Sequence, residues 1–336
     1  MAEPRVAVIG SGSWGTTLAV LLAQKGLAVT LWTRTPDEAQ RLQAARENRD
    51  FVPGLIFPAG LFVTSSLEQS LDRCALLLMV VPAQTLRENM RRARDFLPVE
   101  AVVVSGSKGL EIDTTQRMSQ VIAEELPAAF HARIAVLSGP NLSREIANGL
   151  PTASVIASPD AATARFVQET MMLPRFRLYT HQDVIGVELG GALKNIIAIA
   201  AGAVDGFGFG DNAKAMVLTR GLAEIARLAS AAGANPMTLA GLAGIGDLIA
   251  TCASPHSRNH QVGERLARGE KIEMIQHSMK MVAEGVATAK AAMQMAARLR
   301  VELPITEQVY GVVFENKDPR QAVMDLMTRA AKSESD

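Results

Sequence analysis

The chain has 336 residues, enough for about two domains. Its 34 basic and 34 acidic residues cancel to zero net charge, so nucleic acid is not expected as the main partner. Hydrophobic residues make up 48% and aromatics only 4%, which calls for aliphatic cores; two cysteines, Cys74 and Cys252, cannot staple a fold this large and indicate a reducing compartment.

The opening stretch MAEPRVAVIG lacks a basic region followed by a sustained apolar run, so no targeting signal is expected and the protein reads as cytoplasmic. Apolar, β-branched runs at 6–9, 28–32, 75–81, 101–105, 134–137 and 154–157 read as buried strands, with 175–179 as one more candidate. Amphipathic stretches at 16–25 and 119–126 fall between them. Strands alternating with helices predict an α/β region built on a parallel, doubly wound sheet. From about residue 183 long Ala/Leu/Met segments of helical period take over, such as 216–232 and 286–299. Two tightly packed domains are therefore expected, 1–182 and 183–336, the second all-helical. The apolar run 75–81 falls far short of the ~18 residues of a membrane span, and the longer stretch 187–204 holds Glu188, Lys194 and Asn195, so no membrane insertion is expected. The tail KSESD is expected to fray.

Gly10-Ser11-Gly12-Ser13-Trp14-Gly15 follows the first strand and opens the first helix, the context in which GxGxxG binds a dinucleotide. Gly10 permits the tight turn, Gly12 lets the backbone approach a pyrophosphate, and Gly15 lets helix and strand pack closely. The helix N-terminus adds free N–H groups and partial positive charge. A site for NAD usually carries an acid about 20 residues on. Here the second strand ends Leu31-Trp32-Thr33-Arg34, with no acid before Asp37. Arg34 suits a 2′-phosphate and the carboxylate that would repel it is missing, so NADP(H) is expected to be preferred, with NAD(H) possible.

The segment GGALKNIIAIAAG at 190–202 is the most informative. In a helix, Lys194 has Gly190, Gly191, Ile197 and Ala198 as neighbours on its face, then Gly186, Ala201 and Gly202. Each glycine costs a helix roughly 1 kcal/mol relative to alanine, so something large must approach this stripe. A packed helix would explain the glycines but not the cation; substrate and cofactor would explain both. An ammonium among apolar walls has its charged form disfavoured, which suits it to proton transfer.

Four further clusters are candidates to join Lys194 in one site. Asp247 follows the glycine-rich run GLAGIG, with Thr251 one helical turn on; a helix cap and an active-site acid fit it equally. Ser257-Arg258-Asn259 begins another helix after Pro255, where an arginine is either a phosphate ligand or an ordinary surface residue. Lys108 in SGSKG and the run Ser138-Gly139-Pro140-Asn141 both lie past strand carboxyl ends, where open α/β sheets bind ligands; a turn lysine without a role is the alternative. Cys252, His256 and His260 recur at helical spacing, but Pro255 and the helix start at Ser257 interrupt them, so no metal is expected. His131, His181 and His277 have no ligand-like neighbours. Arg87, Arg91, Arg92 and Arg94, interleaved with Glu88 and Asp95, read as a solvated helix face.

Through GSGSWG, SGSKGLE, SGPNLSREIANGLPTA, GALKNIIAIAAG, GLAGIGDLIATC, SRN and VAEGVATA, the chain resembles the NAD(P)-dependent glycerol-3-phosphate dehydrogenase family in its bacterial biosynthetic form, over essentially its whole length. The resemblance implies an N-terminal Rossmann-type domain, a helical C-terminal domain and a homodimer. It also implies reversible reduction of a small phosphate ester, dihydroxyacetone phosphate, to glycerol 3-phosphate for phospholipid synthesis. On the matching positions Lys194 is the implied proton donor and acceptor; as a mechanistic expectation beside it, Asp247, counted with Lys194 as catalytic, and Asn195 orient the ammonium. Lys108, Gly139, Asn141, Asp247, Ser257, Arg258 and Asn259 are the implied substrate contacts. Ser13, Trp14, Arg34, Lys108, Ser143, Arg258, Val282 and Glu284 are the implied cofactor contacts beside Gly10, Gly12 and Gly15. Two positions depart from the bacterial pattern: Asn141 stands where Ser or Thr is common, and VAEGVATA replaces a VVEGxxT-like form around Val282. The rival readings are a two-domain β-hydroxyacid or ketopantoate dehydrogenase and a non-catalytic NAD(P)(H) sensor; the latter needs the glycine turn but not Lys194, Asp247 and Arg258 together.

Overall fold

The computed structural model describes residues 3–279, 281–331 and 333–334. Of the tail expected to fray, Lys332, Ser335 and Asp336 lie outside the described residues.

Eight short strands form one sheet: β1 (Arg5–Ile9), β2 (Val29–Trp32), β3 (Leu61–Thr64), β4 (Cys74–Met79), β5 (Val102–Ser105), β6 (Ile134–Ser138), β7 (Thr152–Ala157) and β8 (Phe176–His181). Their order is β3-β2-β1-β4-β5-β6-β7-β8, with the chain reversing direction across the sheet after β3. That reversal places the switch point beside β1, where the glycine-rich turn emerges. Residues of β1, β4 and β5 are buried on both faces, which is why these runs are continuously apolar rather than alternating.

Two features depart from the sequence reading. The sheet is not wholly parallel, because β7 runs antiparallel to β6 while β8 again runs parallel to β7. The connection from β6 carries only the short helix Ser143–Ala147, which packs on the first helix of the chain instead of crossing the sheet. Thr152 Oγ1 donates to the Pro140 carbonyl at 2.9 Å, tying the two ends of this connection at one edge, so the chain re-enters from the end it left. The edge strand β3 was not anticipated: it is four residues long, and Phe62 in its middle points to solvent. The candidate strand at 175–179 is present as β8.

Beyond β8 the chain is helical. Asp183 caps the helix Val184–Phe207 by accepting from Gly186 N–H at 2.9 Å. This helix, which carries Lys194 and is called here the lysine helix, has a mean hydropathy of 1.6 over its most apolar 18 residues, yet 78% of that window is buried in the fold. Helices Gly210–Ala231, Asp247–Ala253, Arg258–Ala267 and Glu284–Leu299 surround it. A helix apolar all round is what such a central position requires.

Part of the glycine stripe is explained by this packing, which corrects the expectation that substrate and cofactor fill it. The helix Arg258–Ala267, the arginine helix, crosses so closely that a Cβ on Gly202 would collide with the His260 carbonyl oxygen. A Cβ on Gly263 would likewise collide with that of Ile199, and one on Gly206 would stand 2.7 Å from the Glu264 carbonyl oxygen. In the cluster around Arg87, the residues Arg91, Arg92, Arg94, Glu88 and Asp95 are exposed as a solvated face requires, and the correction concerns Arg87. Arg87 is mostly buried and donates to Glu111 (2.8 Å), Glu124 (2.8 Å), Glu125 (3.0 Å) and Gln116 (2.9 Å), so it ties two helices together rather than facing water. Its acidic partners lie dozens of residues onward, out of reach of any local charge pattern.

Because both backbones at the Gly202/Gly263 crossing are rigid helices, Gly263→Ala is expected to lower unfolding free energy by about 3 kcal/mol, the upper end of overpacking costs. Urea denaturation reads this directly, and an unchanged midpoint would mean the two helices separate freely.

Candidate active site

The glycine-rich turn has the geometry its motif predicts. Gly10 adopts φ +119°, and a side chain there would collide with the Val80 carbonyl. A Cβ on Gly15 would collide with the Gly10 carbonyl, whereas Gly12 has nothing within 4 Å. The helix α1 (Ser13–Gln24) begins there with no side chain capping its first N–H groups. Open space over Gly12 beside uncapped N–H groups fits a pyrophosphate. Trp14 Nε1 is buried with no partner and lies against Gly106, while the Trp14 ring meets Phe176 edge-on at 6.2 Å. Ser13 Oγ donates to the Phe51 carbonyl at 3.2 Å and lies 3.2 Å from Met281 Sδ, joining the turn to the helical half.

Arg34 is exposed just past β2. The expectation of a site free of carboxylate does not hold. The helix α2 (Pro36–Ala45), N-capped by Thr35, turns Glu38 back so that its Oε1 accepts from Ser11 Oγ at 2.8 Å. Counting residues past the strand missed this acid, because the reach comes from the first turn of the next helix.

Lys194 is buried, at 7% side-chain exposure, and its Nζ lies 2.8 Å from Asp247 Oδ1. The second Asp247 oxygen takes Lys108 Nζ at 2.7 Å, and Lys108 also donates to the Gly139 carbonyl at 2.8 Å. Lys194 further donates to Thr251 Oγ1, which in turn donates to Asp247 Oδ1 at 3.3 Å. One buried carboxylate therefore joins two ammoniums and leaves one net positive charge. Burial pushes Lys108 down to about 8; the Asp247 charge works against that shift and the Lys194 charge adds to it.

The local sequence explains this convergence. A Cβ on Gly190 would stand 2.5 Å from the Ala243 carbonyl oxygen, and one on Gly191 would collide with Ser138 Oγ. These glycines admit the π-helical turn Leu242–Gly246, which delivers Asp247, and the end of β6. Asp247 is not a side-chain cap: it lies inside the first turn of its helix with both oxygens on the lysines.

Ser257 caps the arginine helix by accepting from His260 N–H at 3.3 Å. Arg258 Nη1 donates to the Val282 carbonyl at 2.5 Å, so Val282 engages through its backbone while its side chain stays half exposed. Glu284 accepts from Ala83 N–H at 3.1 Å. Burial raises its pKa, against the pull of that N–H and of Arg258. Asn259 donates to Asn195 Oδ1 at 2.9 Å and accepts from Gly285 N–H at 2.9 Å. Asn195 thus holds Asn259 and does not orient Lys194; one residue along a helix rotates a side chain by about 100°. Asn141 Oδ1 accepts from Ser154 Oγ, while Asn141 Nδ2 and Ser138 Oγ are buried without partners. Gly139 has φ +135° and abuts Ser154. Ser143 opens the short helix after this run, half-buried.

Contacts run unbroken from turn to lysine: Trp14 lies on Gly106, whose loop carries Lys108, which shares Asp247 with Lys194. Sequence reading missed Asn48, which donates to the Ser11 carbonyl (2.8 Å) and Thr16 Oγ1 (2.9 Å) from an irregular stretch with no motif. It also missed Glu188, which accepts from Arg117 and from Ser119 N–H (2.8 Å) across the two halves. His260, considered for a metal, instead places Nε2 2.7 Å from Asp205 Oδ2, and no metal-ligating group of three occurs among the described residues.

Family models for the NAD-dependent glycerol-3-phosphate dehydrogenase N-terminus and C-terminus match residues 5–164 and 183–324. A glycerol-3-phosphate dehydrogenase (NAD(P)+) of Geobacter sp. (strain M21) is 49% identical, covering 99% of this chain and 99% of its own. That of Chlorobium phaeobacteroides (strain BS1) is 47% identical over 98% of this chain and 99% of its own. The solved glycerol-3-phosphate dehydrogenase of Coxiella burnetii superposes with a TM-score of 0.92 at 37% identity, covering 97% of this chain and 99% of that one. A ketopantoate reductase of Ralstonia eutropha JMP134, at 16% identity and a TM-score of 0.60, shares the fold alone. Matched in both halves and along nearly its full length, the chain belongs to the NAD-dependent glycerol-3-phosphate dehydrogenase family.

Proposed function

We propose that this protein reduces dihydroxyacetone phosphate to sn-glycerol 3-phosphate, reversibly, and so supplies the backbone of glycerophospholipids. The observation that carries the proposal is the buried Lys194–Asp247–Lys108 array in continuous contact with the glycine-rich turn. The nicotinamide dinucleotide, when bound, supplies the hydride for C2 of the ketone. Gly10, Gly12, Gly15 and the α1 N-terminus hold its pyrophosphate, with Ser13, Trp14, Arg34, Lys108, Ser143, Arg258, Val282 and Glu284 as further contacts. Val282 acts there through the carbonyl that fixes Arg258.

Lys194 gives its proton to the ketone oxygen and stabilises the negative charge that develops on it. Asp247 and Thr251 hold that ammonium in place, and Lys108 adds a second cation against the same charge. Arg258, with its own backbone N–H and that of Asn259, grips the substrate phosphate at the helix N-terminus that Ser257 caps; the Ser257 N–H donates to the Ser254 carbonyl at 3.1 Å. Asn195 keeps Asn259 in register for that task. The unpartnered Asn141 Nδ2 offers a donor to a substrate hydroxyl beside Gly139. The reading divides the chain near residue 182 into a nucleotide-holding part and a part that bears Lys194. It includes NADP(H) preference through Arg34, a homodimeric state and a cytoplasmic location.

Lys194→Met is expected to lower turnover of dihydroxyacetone phosphate roughly 10³-fold while nicotinamide-fluorescence titration still detects NADPH binding. Turnover near the wild-type level would remove Lys194 from the chemistry. Arg34→Ala is expected to weaken NADPH about tenfold and to leave NADH within about twofold, a loss typical of a charge-assisted pair; equal weakening of both would refute the preference.

The depressed Lys108 sets opposite pH trends for activity and stability. Above about pH 8 the folded protein loses the Lys108 proton, so kcat/KM for the anionic substrate should fall. Between about 8 and the ordinary 10.5 the unfolded chain binds the extra proton, so this group's contribution to stability rises with pH. Lys108→Arg, which keeps its charge, should move the alkaline fall in kcat/KM to higher pH. An unmoved limb would assign it to another group.

A further inference from the structure

We propose that Glu38 is a specificity-determining residue that opposes Arg34, so that the mouth of the nucleotide site accepts both the free ribose of NADH and the 2′-phosphate of NADPH. The proposal rests on the reading that the glycine-rich turn binds a nicotinamide dinucleotide. Arg34 leaves the end of β2 one helical turn before Glu38, and Thr35 between them caps α2 by accepting from Glu38 N–H at 3.3 Å. That cap fixes where the Glu38 side chain starts, and the carboxylate then folds back to Ser11 at 2.8 Å. Ser11 lies between Gly10 and Gly12, so the negative charge stands at the rim of the pyrophosphate cradle on its β2 side. In sheets of this topology the adenosine ribose lies on that side, and an acid there accepts from its hydroxyls.

The Ser11–Glu38 bond is not what shapes the turn. The Ser11 carbonyl already accepts from Asn48 Nδ2 at 2.8 Å and from Thr16 Oγ1 at 3.1 Å, and Gly10 and Gly15 lock against their neighbours. Glu38 is half-buried, and among the described residues no ion pair neutralises it. Its carboxylate therefore keeps lone pairs for a further donor. A ribose hydroxyl provides one. A 2′-phosphate provides none at neutral pH and adds about two negative charges beside a fixed one. Arg34 favours that phosphate and Glu38 disfavours it, so nucleotide choice depends on the balance between two side chains four residues apart.

The test is titration of nicotinamide fluorescence with NADPH and with NADH, for wild type, Glu38→Gln and Arg34→Ala, at low and high salt. Glutamine keeps the shape and an oxygen for Ser11 but removes the charge. It should tighten NADPH about tenfold and leave NADH equal or weaker, with the difference shrinking as salt screens the repulsion. A strut that only braces the turn would leave the NADPH/NADH ratio of dissociation constants unmoved in Glu38→Gln. That outcome, with the ratio shifted in Arg34→Ala, overturns this proposal alone. If wild type binds neither nucleotide, the reading of the glycine turn fails and this proposal with it.

Discussion

A single carboxylate, Asp247, holds two buried ammoniums, one on each of its oxygens, and the rest of the site is arranged around that sharing. A lone ammonium removed from water would lose its proton or draw water in after it. One carboxylate offsets that penalty for both lysines only in part, and the surplus positive charge suits the anionic phosphate ester of the proposed reaction. Thr251 and the Gly139 carbonyl take further lysine protons, so neither ammonium is left with Asp247 as its only acceptor. Removing one member of such a buried set typically costs 3–5 kcal/mol, because the remaining charge loses its compensation. The arrangement therefore couples stability to chemistry.

The glycines of the lysine helix are what make the sharing possible. They hold no empty room for a ligand; protein fills them. Gly190 and Gly191 admit the turn that delivers Asp247 and the end of β6, while Gly202 and Gly206 admit the arginine helix. Backbone approaching backbone this closely is what brings residues from distant stretches of chain onto one amine. The conformational cost of glycine in a helix is offset by apolar burial along its length, where Leu189, Leu193, Ile196 and Ile197 are almost fully enclosed.

Opposite charges also lie near one another away from that centre, and those of Arg258 with Glu284 and of Arg34 with Glu38 form no ion pair among the described residues. Arg258 faces Glu284 and the Val282 carbonyl, and Glu284 in turn holds the Ala83 amide of the sheet half. Arg34 and Glu38 flank the glycine turn on its other side. Glu188 ties Arg117 and Ser119 to the lysine helix across the same boundary. The two parts of the chain thus meet through side-chain hydrogen bonds, and the residues gathered around Asp247 come from both.

The sequence by itself determined what is local. The strand, turn and helix around Gly10–Gly15 are legible because the glycine spacing sits directly between an apolar strand run and a helical stretch, although the steric demand on Gly10 comes from distant Val80. Lys194 stands out because helical periodicity alone ranks its neighbours, and the change of texture after residue 182 follows from β-branched runs giving way to period 3.6. Only the tertiary structure decided that Asp247 serves both lysines, that Asn195 serves Asn259, that Glu38 reaches Ser11, that Arg87 is enclosed by acids, and that β7 reverses direction. Lys108 and Asp247 are 139 residues apart, and Asn195 and Asn259 are 64 apart. Pairings at such separations depend on which backbones pack closely enough to bring side chains within bonding distance, and spacing along the chain carries no record of that.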